Sequence, residues 1–405
     1  MDKKRIIFIA IFSVAVIGIG YLMYSIFWKS SEPTIIPPDK TVTDTTKLPS
    51  GGSFAQSDDK EINDTTTPEV GGAIVIRPTE LPDSGIREVT RVVAENLINP
   101  KINSNGDVNF YNTIDGKFYT SQNGETVEMS EQVFFNVENV VWSGVNNESI
   151  IEYPDGSNIY YNFDTEVQRT LPKHWEDFSF SKQGDQIVAK SIGISPENRW
   201  LVSSDADGNN VTLIESLGEN ADKVTVDWSP NKQIIGVSLA GGVAGANRQE
   251  VFFVGQNGEN FKSMIVEGRG FESIWSPSGD KLLYSVYSTR SQYKPELWVV
   301  SSKVGNIGSN RKMLGINTWA DKCAFGDERN LYCAVPNNLP VGSGFSSDLA
   351  NTATYTLIRI DTQTTLQTPL QMDEIHSIDK IFLSNDGGTL YFTDKFESGL
   401  FSISI

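Results

Sequence analysis

The two histidines are the residues with the widest chemical use, since imidazole serves as a general base and as a metal ligand near neutral pH. His174 lies in LPKHWEDF and His376 in DEIHSIDK, far apart along the chain. A Ser or Cys hydrolase needs a base beside its nucleophile, and a histidine metal site needs converging ligands. Neither segment supplies such partners, so we interpret both histidines as structural and predict no catalytic residue, no metal ligand and no cofactor.

Two short motifs resemble functional sites but lack essential parts. VGSGFSS (341–347) comes close to the G-x-S-x-G motif of hydrolases, yet it lies in a loop rather than between a strand and a helix. DADGNN (205–210) resembles the start of a calcium loop but lacks the third acidic position and the distal Glu. We therefore interpret the first as a loop and the second as a hairpin turn with Gly208 in a left-handed conformation.

A repeat supplies the elements that would position any site. The segment WSPSGDKLLYSV, from Trp275, combines an aromatic residue that ends a strand, a Ser-Pro-x-Gly turn and an alternating apolar strand. Related units begin at Ile102, Trp142, Phe180, Trp228, Cys323 and Leu383. No stretch of a dozen residues after residue 86 shows a helical period, so the sequence predicts an all-β domain.

Four strands in a unit of about 40 to 45 residues are typical of a propeller blade. The units resemble the WD40-like repeats of TolB-like β-propellers, in which an aromatic-Ser-Pro-Asp-Gly-Lys motif precedes an apolar strand. The resemblance covers about residues 100 to 405 and is strongest at Trp228 and Trp275. It implies a seven-bladed β-propeller, with six or eight blades left open.

The last unit is one strand short, because only SGLFSISI follows TLYFT before the end of the sequence. An open ring would leave unpaired strand edges. The strand-like segment IREVTRVVAENL (86–97) precedes the first unit. We predict that it supplies the missing outer strand and closes the ring.

The two cysteines lie on the arms of one predicted hairpin around FGDERN. Cys323 aligns with Trp275 and Cys333 with Ser285. An exported domain permits a disulfide, which would replace the aromatic residue that this unit lacks at its anchor position. Two buried free thiols are the alternative, because the register of the strands is not visible in the sequence.

The N-terminal segment predicts a single membrane anchor. Residues 6–28 are an unbroken apolar run that is long enough to span a bilayer, and a Lys-Lys-Arg cluster precedes it within residues 1–5. This arrangement predicts a cytoplasmic N-terminus in the plasma (inner) membrane and an extracytoplasmic remainder. A cleaved signal peptide is the alternative, but no small-x-small cleavage site follows the run. Residues 29–85, rich in Pro, Thr and Ser, predict a disordered linker to the propeller at 86–405.

Charge narrows the range of partners. The formal net charge of the chain is -18, with 33 Lys and Arg against 51 Asp and Glu. No segment contains the cluster of Lys and Arg that phosphate recognition requires, so we exclude nucleic acid as a partner.

Loop length marks one side of the predicted ring. Long connections between the second and third strands occur at 240–249, 288–295 and 336–353. These connections all leave a propeller on the same side, where binding residues commonly lie. The candidate binding residues are Arg248, Arg290, Tyr293, Lys294 and Phe345.

These features together favour a non-catalytic scaffold that binds a protein, a peptide or an envelope glycan. The resemblance to TolB-like propellers suggests this role. An enzyme that cleaves glycans or peptides with carboxylates at the central opening is the alternative. Convergent Asp or Glu residues with a raised pKa near the axis would favour the enzyme.

Overall fold

The computed structural model of this chain describes residues 85–122, 124–242, 245 and 247–405. The predicted cytoplasmic stub, the predicted transmembrane helix and the predicted linker up to residue 84 lie outside these residues. Within the described ranges, no helix has both the length and the apolar character needed to cross a membrane.

The described residues form 28 strands, which we number in chain order. They are β1 Thr90–Val93, β2 Leu97–Ile102, β3 Val108–Asn112, β4 Lys117–Gln122, β5 Glu125–Glu128, β6 Asn139–Trp142, β7 Glu148–Glu152, β8 Asn158–Asn162, β9 Val167–Leu171, β10 Trp175–Phe180, β11 Gln186–Ile192, β12 Arg199–Asp205, β13 Thr212–Ser216, β14 Val224–Val226, β15 Ile234–Ser238, β16 Gln249–Gly255, β17 Met264–Val266, β18 Arg269–Trp275, β19 Lys281–Tyr287, β20 Pro295–Ser301, β21 Lys312–Met313, β22 Cys323–Phe325, β23 Asn330–Pro336, β24 Tyr355–Asp361, β25 Gln367–Leu370, β26 Ile378–Leu383, β27 Thr389–Asp394 and β28 Leu400–Ser404. Short 3-10 helices cover Pro196–Asn198, Gly218–Lys223, Thr289–Ser291, Ala320–Lys322 and Ser347–Ala350.

The strands form seven antiparallel four-stranded sheets, which are the blades of a β-propeller. Six blades take four consecutive strands each, from β2–β5 (blade 1) to β22–β25 (blade 6). The first strands of neighbouring blades contact each other, as β2 contacts β6 and β10 contacts β14, so these strands surround the central channel. The prediction of an all-β, seven-bladed propeller is confirmed.

Blade 7 is built from both ends of the described chain. Its order is β26-β27-β28-β1, and β1 pairs with β28 through Thr90 opposite Ser402 and Val93 opposite Leu400. Val93 is only 1% exposed and packs with Leu400 and Phe110. The predicted closure of the ring by the segment before the first blade is therefore confirmed, with the pairing confined to residues 90–93.

The turn after each first strand explains why serine recurs in the repeat. The Ser276 hydroxyl accepts the Lys281 N–H, while the Gly279 N–H donates to the Ser276 carbonyl. Ser181, Ser229 and Ser384 make the same hydroxyl contact with the N–H five residues ahead. The serine thus provides a local acceptor that holds a tight reversal, as side-chain oxygens commonly do in turns.

The connections lie on two sides of the ring. We call the side with the connections between first and second and between third and fourth strands the turn face. The opposite side carries the connections between second and third strands and those between blades, and we call it the loop face.

Blade 6 departs from the predicted alignment. Cys323 pairs directly with Cys333, and Phe325 pairs with Leu331 as Trp275 pairs with Leu282 in blade 5. Phe325 therefore occupies the aromatic position that we predicted to be missing, and Cys323 lies two residues before it. The alignment was wrong because the turn of blade 6, residues 326–330, is one residue shorter than the turn of blade 5, residues 276–281, so matching the letters placed the anchor two residues too early.

The two cysteines are bonded to each other. Their Cα atoms are 4.1 Å apart, and both side chains are buried in the core of blade 6. The disulfide lies immediately after the short helix Ala320–Lys322, near the loop-face end of the channel.

Candidate binding site

The long loops of blades 5 and 6 form one fixed structure on the loop face. The N–H groups of Gly342 and Gly344 donate to the carbonyls of Gln292 and Tyr293 at 3.0 and 2.7 Å. Gly344 also lies against Tyr287, so closely that a Cβ at this position would come within 2.5 Å of the tyrosine. The close approach of the two loops explains why a glycine is needed here.

These contacts display aromatic rings at the surface. The Phe345 ring lies 4.7 Å from that of Tyr287 and 5.0 Å from that of Tyr293. Phe345 nevertheless remains 64% exposed. We call Tyr287, Tyr293 and Phe345 the aromatic platform.

The structure brings only part of the predicted binding set together. Tyr293 and Phe345 join in the platform, whereas Arg290 pairs with Glu296 at 2.6 Å and lies over the Trp298 ring at 5.2 Å.

The other two predicted residues lie near the platform. Lys294 is half-buried, and Arg248 is exposed on the loop of blade 4. That loop reaches blade 5 where the Asn247 side-chain amide donates to the Thr289 hydroxyl at 2.9 Å.

Exposed apolar side chains gather on the loop face as a whole. Of the large apolar side chains that are exposed within the described residues, ten lie in loop-face connections: Ile114, Val133, Phe135, Ile194, Tyr293, Val341, Phe345, Leu349, Ile375 and Phe396. Only Val145, Val211 and Val304 lie in turn-face connections. Clustered exposed apolar groups mark interaction surfaces more often than scattered ones do.

A charged cavity of about 460 Å³ opens beside the blade 6 loop, and we call it the mouth cavity. It is lined by Glu272, Trp319, Asp321, Lys322, Ser347, Asn351, Tyr355, Asp379, Asp394 and Lys395. A second cavity of about 290 Å³, the inner cavity, shares Glu272 and Asp321 with it. The inner cavity is otherwise lined by Thr225, Asp227, Val237, Leu239, Phe271 and Ser273.

Three carboxyl groups of these cavities have a raised pKa. Burial raises the pKa of Glu272 to about 7, and the nearby Asp321 adds to the effect while Lys322 opposes it. Burial also raises the pKa of Asp227 to about 7, against the Trp275 indole and the Lys101 ammonium, which lower it. Burial likewise raises the pKa of Asp321. Desolvation that disfavours the charged form is typical of groups in a narrow channel, even where water reaches them.

The sequence prediction missed these acids. They precede the apolar or aromatic anchor residue of their blade by one to four residues, as in DW (227–228), ESIW (272–275), DKCAF (321–325) and DKIFL (379–383). An acid within four residues of the anchor in blades 4 to 7 is the signal that could have been read. The number of residues between the acid and the anchor varies from blade to blade, because first strands carry β-bulges such as the one between Arg269 and Glu272.

The histidines form no site within the described residues. His376 is buried between the rings of Phe392 and Phe401, and its Nδ1 lies 3.2 Å from the Asp394 carboxylate. His174 is exposed and far from it along the chain. Across residues 85–405, apart from the four undescribed positions, no three or more His, Cys, Asp or Glu side chains form a group that could hold a metal ion.

No protein-family model matches the sequence, and neither does any curated protein. The fold is similar to that of an oligogalacturonate lyase in complex with manganese, with a TM-score of 0.54, 12% identity, and coverage of 81% of this chain and 95% of the other. It is also similar to the β-propeller domain of Cps50 (Swd1) from Myceliophteria thermophila, with a TM-score of 0.52, 11% identity, and coverage of 78% and 99%.

The tricorn protease is a third similar structure, at a TM-score of 0.49 and 11% identity. The match covers 80% of this chain but only 34% of the protease. At these identities the similarities to the lyase and to the Cps50 domain show a propeller fold and nothing about activity.

Proposed function

We propose that this protein is a non-catalytic scaffold whose loop face binds another polypeptide. The observation that carries the proposal is the gathering of exposed apolar side chains on the loop face, with Phe345 64% exposed on a fixed platform. Aromatic side chains held in place in advance contribute strongly to protein interfaces, since little freedom is lost on binding. The acidic mouth cavity and the net charge of -18 disfavour an anionic membrane surface as the occupant.

The proposal includes the membrane anchor and the kinship suggested by the sequence. The apolar run 6–28 and the preceding cations support a single span with an extracytoplasmic propeller. The Ser-Pro turns after Trp228 and Trp275 support a relationship with TolB-like propellers. Protease added outside intact cells should digest the propeller, whereas a cytoplasmic propeller would survive until lysis.

The scaffold is tested by cross-linking from the platform. A photo-reactive phenylalanine analogue at position 345, in cells that normally contain the protein, should yield one polypeptide adduct. The purified partner should then bind the full chain. The Ile114→Ser, Phe345→Ser and Phe396→Ser triple variant should weaken this binding at least tenfold, because it removes apolar area spread around the loop face.

A matched triple variant on the turn face, Val145→Ser, Val211→Ser and Val304→Ser, should bind like the parent. Equal losses for both triple variants would contradict a loop-face interface. A glycan instead of a polypeptide cross-linked to position 345 would show that the proposed partner class is wrong.

A carboxylate-based enzyme is the second candidate, because Asp227 and Glu272 line one cavity and both have a pKa raised to about 7. A group that titrates near neutral pH is suited to general acid catalysis. The oligogalacturonate named for the similar lyase is itself a carboxylate polymer, and a cavity lined by carboxylates would repel it. Hydrolysis of a neutral glycan or peptide that Glu272→Gln abolishes would favour the enzyme over the scaffold.

A further inference from the structure

We infer that the mouth cavity and the inner cavity together bind an alkylammonium group, with the cation between Glu272 and Asp321 and its methylene chain in the inner cavity. This site rests on the proposed function in one respect, since a lysine of a polypeptide on the loop face is one source of the group. A free aliphatic polyamine is the other source.

Among the described residues, the cations of the mouth cavity leave two of its carboxylates without a hydrogen-bond donor. Lys322 Nζ donates to the carbonyl of Asp379 and to its Oδ1 at 3.2 Å, and Lys395 Nζ donates to Asn351 Oδ1 at 2.9 Å. Both cations of the cavity are therefore engaged.

Asp394 is also engaged within the protein. Its Oδ2 accepts the Ser377 N–H at 2.7 Å, and its Oδ1 accepts the N–H groups of Phe396 and Glu397 at 2.7 and 3.1 Å. These bonds fix the carboxylate beside the turn between β27 and β28, so Asp394 has a structural role.

Glu272 and Asp321 differ from these groups. Neither accepts a hydrogen bond from any residue that the structure describes, and the nearest ammonium to Asp321, Lys322 Nζ, is 3.9 Å away. Both residues are exposed to solvent, and the Asp321 side chain is 59% exposed, so a ligand that brings several N–H donors can reach both carboxylates.

Tyr355 provides an independent sign of a missing ligand. Its side chain lines the mouth cavity and is only 3% exposed, yet its hydroxyl has no hydrogen-bond partner among the residues that the structure describes. Leaving a buried hydroxyl unpaired is costly, on the order of 1–3 kcal/mol. Burial raises the pKa of the hydroxyl most, and the charges of Asp321 and Asp379 raise it further, so the hydroxyl belongs to the same polar cluster.

The walls explain why the ligand is an alkylammonium and not a bare cation. Val237, Leu239 and Phe271 line the inner cavity beside the shared Glu272 and Asp321, which suits a methylene chain. Trp319, 5% exposed, adds an aromatic wall to the mouth cavity, which suits an ammonium group. The absence of a three-ligand group within the described residues argues against a metal ion here.

The test titrates the full chain with cadaverine, with pentanoate as a probe of similar length and opposite charge, and with a short peptide that carries one lysine. We expect saturable one-to-one binding of cadaverine, of the peptide, or of both, and none of pentanoate. Binding of cadaverine alone identifies a free amine as the source, and binding of the peptide alone identifies a lysine side chain.

Substitutions then locate the bound group. Glu272→Gln, which preserves shape, should weaken binding at least tenfold, and Tyr355→Phe should weaken it severalfold. Asp222→Asn removes the same charge from an exposed position and should leave binding unchanged. Equal weakening by Asp222→Asn and Glu272→Gln, or no binding of either amine probe to the parent, would overturn the inference.

A last variant separates this inference from the proposed function. Phe345→Ser should reduce binding of the polypeptide partner but leave cadaverine binding intact, because the ring lines neither cavity. If the partner binds normally to Glu272→Gln while cadaverine does not, the scaffold stands and the cavity serves a free amine. If cadaverine binds but no polypeptide is found on the loop face, the cavity stands and the scaffold fails.

Discussion

The turn face and the loop face are made from the same strands but differ in almost every other respect. On the turn face, short reversals repeat one device, a serine hydroxyl that accepts an N–H five residues ahead. On the loop face, connections differ from blade to blade, expose apolar side chains and surround a charged cavity. The regular side therefore holds the ring together, while the irregular side is free to acquire a binding role.

The largest expected effect on stability comes from removing β1. Both faces depend on this strand because it completes blade 7. Deletion of residues 85–94 from the full chain should abolish cooperative unfolding, because it leaves β28 unpaired and removes Val93 from the core. Circular dichroism during thermal unfolding measures the effect. Thr90→Ala, at an exposed position of the same strand, should keep the parent Tm. A deletion variant that also kept that Tm would refute closure by β1.

The disulfide is expected to show the second largest effect, at the loop-face end of blade 6. Cys323 and Cys333 are separated by 10 residues, and closing so short a loop in the unfolded chain contributes about 3 kcal/mol. The Cys323→Ala and Cys333→Ala double variant should lose about this much free energy of unfolding in a urea titration. Reduction of the parent should give a similar loss. No loss in either case would mean that the bond contributes nothing to stability.

A glycine substitution on each face compares their tolerance directly. Gly279 has a φ of +76°, and a Cβ there would come within 2.8 Å of the Asn231 backbone nitrogen. Gly279→Val should therefore cost about 2 kcal/mol of unfolding free energy. For Gly242, on the loop of blade 4, no atom of the described residues lies within 4 Å of the place that a Cβ would take, so Gly242→Val should cost less than about 0.5 kcal/mol. Similar costs at the two sites would remove the distinction between the faces.

The smallest predicted effect concerns the pH dependence of stability. Asp227 has a pKa of about 7 in the folded chain, above the value of about 4 expected on unfolding. The folded state thus holds more protons between these values, so the free energy of unfolding should fall as the pH rises through 7. Because water reaches the channel, we expect the fall from pH 5 to pH 8 to be only about 1 kcal/mol.

Asp227→Asn should remove most of this decrease, and urea titrations at pH 5 and pH 8 measure it. Asp222→Asn, at an exposed position, should retain the parent profile. A profile unchanged in Asp227→Asn would show that the channel does not disfavour the charge.

The repeat predicted the fold well because each blade is specified locally. The Ser-Pro turns and alternating strands around Trp228 and Trp275 need only nearby residues to form, and the ring follows from stacking such units. The alignment failed at Cys323, where a turn one residue shorter than that of blade 5 shifts the register and Phe325 takes the anchor position. Register within a hairpin depends on turn geometry, which letters alone do not give.

The predicted binding residues were only partly brought together, and for a similar reason. Loop length drew attention to the connections of blades 4 to 6, where Tyr293 and Phe345 contact each other. Arg290 instead pairs with Glu296 on its own blade. A cation in a loop can serve the fold or a partner, and its neighbours decide which.

By itself, the sequence predicted a ring of repeated blades, their turns and the segment that closes the ring, because these features repeat or depend on neighbours along the chain, although it left six or eight blades open. The tertiary structure alone decided that Glu272, Asp321 and Tyr355 line one cavity. The first residue belongs to a strand of blade 5, the second to the segment before blade 6 and the third to the strand after its long loop. Only packing of one blade against the next brings such residues together, and the sequence records only part of this arrangement, in the acids that precede the anchors of blades 4 to 7.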